Sequence, residues 1–105
     1  MAEEAQVELD PPDGIEDAES AVEVLRAWIA DGALLVSLNS SAFGDQVRDW
    51  GRLLAEIGHH VAKAAALNGY MREDEAQTAL HEAFAANFET TPGQTAGKLR
   101  GQTKH

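Results

Sequence analysis

The chain has no cysteine and four histidines, so acid–base and metal chemistry would have to start from His59 and His60. Both lie in a segment with helical periodicity, where adjacent residues point about 100° apart. The pair therefore does not chelate one ion. His59 falls on the polar side with Arg52, Glu56 and Lys63 and reads as a solvated residue. His60 lies at the edge of the apolar stripe, with Glu56 four residues earlier and in hydrogen-bond reach. Glu56-His60 has the spacing of a helical metal-ligand pair. A bundle metal site needs a second such pair on a facing helix, and His81, beside Glu82, is too isolated to supply it. No metal site, cofactor or catalytic residue is expected.

The other chemistries are weaker still. There is no G-x-S-x-G, and Ser37, Ser40 and Ser41 have no base nearby in sequence. Gly-rich phosphate loops are absent. Asp45 and Asp49 stand one turn apart at a helix start, where acids favour the dipole. The residues left as interaction-site candidates are Arg26, Trp28, Trp50, Glu56 and His60. Arg26 and Trp28 share one side of a strand, so guanidinium–indole stacking is available. The larger expectation for both tryptophans is core packing, because aromatic rings carry the most apolar area in a small domain.

The elements that position these residues are legible. Residues 22–30 read V-E-V-L-R-A-W-I-A and 33–40 read A-L-L-V-S-L-N-S, with Asp31-Gly32 between. Val22, Leu25, Trp28 and Ile29 also fit helical spacing. Alternation, β-type residues and an Asp-Gly pair favour a hairpin with a type I′ turn. Asp45 is expected to cap a helix running to about Leu67, stopped by Asn68-Gly69. Its apolar set is Val47, Trp50, Leu54, Ile57, Val61 and Ala65. Gly51 and Gly58 lie near that stripe, which predicts close approach of another backbone, the hairpin being the nearest. A second helix is expected from about Asp74, with Gln77 at capping-box spacing, to Glu89. Ala76, Leu80, Ala83, Phe84 and Phe88 form its stripe.

The ends differ from this middle. Residues 1–20 hold eight acids and no Lys or Arg, and residues 90–105 hold Lys98, Arg100 and Lys104 and no acid. Pro11-Pro12, Asp13-Gly14 and the lack of apolar periodicity predict a disordered acidic arm over 1–20 and a flexible basic tail over 90–105. The net charge of −10 opposes nucleic acid and anionic membrane. Acids at Glu3 and Glu4 are the reverse of a signal n-region, and no apolar run reaches the ~20 residues of a membrane helix. A cytoplasmic protein is expected.

Val24-Leu25-Arg26-Ala27-Trp28 before the Asp-Gly turn, with Trp50-Gly51-x-Leu53-Leu54-Ala55-x-Ile57-x-x-His60 after it, resembles a family of small bacterial proteins known only as a domain of unknown function. The resemblance covers residues 21–89. Gln46 stands where members tend to have Pro, and Phe88 where they tend to have Trp. The resemblance implies a compact α+β unit and supplies no activity.

The expected architecture is α+β: one domain over 21–89, a β-hairpin followed by two helices packed on one face (ββαα), between flexible arms. So small a domain, with no disulfide, is marginal alone. A two-stranded ribbon also leaves unpaired edges. The expected function is that of a small non-catalytic interaction or accessory protein, homodimeric through pairing of hairpin edges or faces. The alternative is a small enzyme or ligand-binding protein with a pocket near His60, Glu56 and Trp50.

Overall fold

A computed structural model of the chain describes residues 6–90. The element order is β1 (Leu25–Ala30), β2 (Ala33–Leu38), α1 (Val47–Leu67) and α2 (Glu73–Phe88), the ββαα order expected. Before β1 the described residues are irregular apart from a single 3-10 turn at Ile15–Asp17, and all but Val24 are exposed. The basic tail lies, from residue 91 on, outside the described residues, as do residues 1–5 of the acidic arm.

β1 and β2 pair antiparallel, with Leu25 opposite Leu38, Trp28 opposite Leu35 and Ala30 opposite Ala33. Asp31 and Gly32 have φ of 51° and 81°. Both central residues are thus left-handed, as the I′ turn demands, and its twist matches that of the strands. Asn39 N–H donates to the Val24 carbonyl at 3.0 Å, carrying the pairing one step beyond the strands.

α1 begins one residue later than Asp45 would set it. Gln46 is the cap residue, and no side chain bonds a free helix N–H there. The Asp45 carboxylate accepts instead from the Gln46 side-chain amide at 3.2 Å. Asp49 supplies the acid of the first turn. The far end is closed as expected. Gly69, at φ 77°, donates to Ala66, and Tyr70 donates to Ala65 at 2.9 Å. This is the Schellman arrangement, which only a left-handed residue at Gly69 permits. α2 starts at Glu73, not Asp74, and Arg72 takes the cap position. The reciprocal bond comes from Glu75, whose carboxylate accepts the Arg72 N–H at 3.4 Å. Asp74 and Gln77 do not form the box, because the cap position falls at Arg72, two residues before Asp74.

The core is where the expectation changes most. Among the described residues only Ala62 (0% exposed) and Ala76 (4%) are buried hydrophobics, and no large side chain is fully buried. They sit on the two helices that pack together. Close backbone contacts between elements join β1 to β2 and α1 to α2, and no strand comes within 8 Å of a helix, Cα to Cα. The stripe expected to form the core of α1 is only partly covered: Val47 is 71% exposed, Val61 47%, Leu54 42% and Ile57 40%. Trp28 and Trp50 are half-buried rather than core. α1 and α2 pack together, and the buried residue on each is an alanine, a size that lets helix axes approach closely. A Cβ built on Gly51 or Gly58 meets nothing within 4 Å, so the hairpin does not fill that space.

Candidate functional site

Arg26 projects from β1 beside Trp28, on the face that also carries Leu35 and Ser37. Its guanidinium is held by two carboxylates. Nε and Nη2 donate to Glu23 at 3.2 and 3.1 Å, and Nη1 donates to Glu8 at 2.7 Å. Both partners raise the Arg26 pKa, Glu23 more than Glu8. The cluster is exposed, and pairs of this kind are individually weak. Its consequence is positional: Glu8 lies eighteen residues upstream, so the acidic arm is tied across this face of the hairpin. The guanidinium is engaged by carboxylates, and no stacking on Trp28 is present among the described residues.

Trp50 stands at the N-terminal end of the α1 stripe. Phe43, in the connection from β2, meets it edge to face with centroids 5.1 Å apart at 85°. Offset and edge contacts of this type suit the ring quadrupoles. The two turns that bring Phe43 there are closed by Ala42 N–H to Asn39 (3.0 Å) and Gln46 N–H to Phe43 (2.9 Å).

Glu56 and His60 are exposed one turn apart on α1, and no hydrogen bond joins them among the described residues. They point away from Trp50: at 100° per residue, Glu56 is about 120° round the helix from it and His60 about 80°. The structure therefore brings Arg26 and Trp28 together and leaves Trp50, Glu56 and His60 apart. Among the described residues no group of three or more His, Asp or Glu side chains is placed to hold a metal ion.

Two shallow, open hollows lie on α2. One is lined by His81, Phe84, Ala85, Phe88 and Glu89, the other by Asp74, Glu75, Thr78, Ala79 and Glu82. Phe84 and Phe88 form an edge-to-face pair at 5.4 Å and are 55% and 78% exposed. Their i, i+4 spacing is visible in the sequence; that they face solvent is not. At the start of α2 the Arg72 guanidinium donates to both oxygens of Asp74, at 3.1 and 2.7 Å. This holds the Asp74 carboxyl below its ordinary pKa, with help from the Glu75 N–H, and raises that of Arg72. The arrangement is a helix-terminal clamp in which charge complements the dipole.

The surface with most unsatisfied physical demand is thus apolar rather than ionic: the α1 stripe and the hairpin. Comparison with known proteins supports a family but no activity. The family described as Domain of unknown function (DUF5076) matches residues 8–91. A solved structure from the photosynthetic bacterium Rhodopseudomonas palustrus CGA009, provisionally named as a pyruvate dehydrogenase, is similar to this chain. It has a TM-score of 0.65 and 35% identity over 83% of this chain and 88% of that one. Among curated proteins none matches. No helix among the described residues is long and apolar enough to cross a membrane.

Proposed function

The chain belongs to the DUF5076 family of unknown function, and from that premise we propose that it is a small non-catalytic interaction or accessory protein that works as a homodimer. The observation that carries this reading is the thinness of the core, with Ala62 and Ala76 its only buried hydrophobics among the described residues. Full burial of a Val, Leu or Ile contributes about 1.5–3 kcal/mol. Leu54, Ile57 and Val61, still 40–47% exposed, realise only part of that in one copy. Ordering each residue costs about 1–2 kcal/mol, so a fold with this little burial gains from any surface that covers the stripe. A second copy is the cover present wherever the protein is. No side-chain arrangement described above gives a reason to carry the Rhodopseudomonas protein's name to this chain.

Sedimentation equilibrium of the full chain tests the reading. A monomer–dimer equilibrium with a dissociation constant in the micromolar range or below is expected. A clean monomer up to roughly 500 µM overturns it.

A further inference from the structure

We propose that in this dimer the charge-free face of one copy's hairpin seats on the α1 stripe of the other copy, and reciprocally. The inference rests on the homodimer reading and adds the surface. Register sorts the hairpin into two faces. One carries Arg26 and Ser37 with the Glu23 and Glu8 carboxylates gathered on Arg26. The other consists of Leu25, Ala27, Ile29 and their partners Leu38, Val36, Leu34, with no polar side chain. The arm is tied to the first face; on the second, Ala27 and Ile29 are exposed and Leu25, Leu34, Val36 and Leu38 half-buried. Ile29, on the open face, is 72% exposed.

The stripe is its counterpart. At 100° per residue, Val47, Trp50, Leu54, Ile57 and Val61 fall within an arc of about 80°. Arg48, Asp49, Arg52, Glu56 and Lys63 lie on the opposite half of the helix. From Val47 to Val61 the stripe runs about 21 Å, the part from Leu54 to Val61 about 10 Å, and the open face of β1 from Leu25 to Ile29 runs about 13 Å. Two apolar surfaces of comparable length are therefore present on one chain, and no strand Cα lies within 8 Å of a helix Cα.

Symmetry selects the pairing. Crossed seating gives two identical contacts about one twofold axis and covers both surfaces of both copies. Pairing hairpin edges leaves every apolar face in water. Packing like on like covers both surfaces only if hairpin and stripe lie on the same twofold axis, a restriction that crossed seating does not impose. Phe43 on Trp50 occupies the N-terminal end of the stripe and leaves Leu54, Ile57 and Val61 for the incoming sheet.

Isotope-filtered NOE spectra on a mixture of labelled and unlabelled full-length chains decide the matter. Intermolecular NOEs are expected between methyl groups of Ile29, Leu34 or Val36 and those of Leu54, Ile57 or Val61. A dimer whose intermolecular NOEs join hairpin only to hairpin, or α1 only to α1, overturns this surface and leaves the dimer intact. A monomer in sedimentation overturns the dimer itself. Ile29→Asp and Ile57→Asp are each expected to raise the dissociation constant roughly 30-fold or more, with helical circular dichroism retained. Arg52→Glu, on the far side of α1, is expected to change it by no more than about 2-fold. A dimer weakened by Ile57→Asp but indifferent to Ile29→Asp also overturns the crossed arrangement.

Discussion

The helix pair and the hairpin are both pairings of neighbours in sequence, and they are sealed differently. α1 packs against α2, and the two buried hydrophobics among the described residues, Ala62 and Ala76, lie one on each. The hairpin is closed by its ladder and by the Asp31-Gly32 turn, with no helix Cα within 8 Å of its strands. The larger apolar residues, Ile29 on the hairpin and Val47, Leu54, Ile57 and Val61 on α1, are left substantially exposed. The difference separates two meanings of hydrophobic patterning. Small residues at a helix contact specify a partner inside the chain, because only that partner comes close enough. Large residues on an open face specify that a cover is needed and leave its source open.

The comparison is broken most severely at Ala62. Ala62→Asp places a carboxylate where the side chain is 0% exposed, with an expected loss of about 3–5 kcal/mol in urea melts followed by helical circular dichroism. A loss under about 1 kcal/mol would mean that the alanine contact is not what holds the helices. The hairpin is probed at Gly32, whose φ is 81° and whose added Cβ would meet nothing within 4 Å. Gly32→Ala is therefore a conformational cost alone, roughly 1–2 kcal/mol. Amide exchange should accelerate across Leu25–Leu38 far more than across the helix contact. Equal acceleration in both would show that the two regions unfold as one.

The smallest effect is at the start of α2. The folded pKa of Asp74 is lowered by Arg72, so its contribution is present above the unfolded carboxylate value, about 4. It is lost as pH falls through the lower folded value. In an NMR titration Arg72→Ala should move the Asp74 midpoint back up, and an unchanged midpoint would remove the clamp from the account.

Much of the fold was legible where a residue type is forced by backbone geometry. Asp31-Gly32 and Asn68-Gly69 were readable because each places a glycine where φ is positive. The caps at Gln46 and Arg72 were not, since they depend on the direction in which the chain enters each helix. Asp45 and Asp74 had the right chemistry one or two residues from the right place. Periodicity located the α1 stripe correctly and misassigned it to the core, because a period reports a face and not the molecule that covers it. Of the candidate site residues, Arg26 with Trp28 was readable from alternation along β1. Its bond to Glu8 spans eighteen residues and had only one signal, an acidic arm upstream of the sole cation on the strands.

The pairing of each element only with its neighbour along the chain has a temporal consequence. Both closures span short loops, so contact order is low and search distances are small. Hairpins form in about 1–10 µs and helices faster still. Each copy is thus expected to finish its internal pairing long before it meets another at cellular concentrations. In the proposed dimer, assembly is then a bimolecular step at the end of folding, whose rate climbs with the amount of protein made while the earlier steps do not. On that proposal, newly synthesised chains wait in the interval with apolar side chains in water, and their net charge of −10 slows the encounter of like molecules.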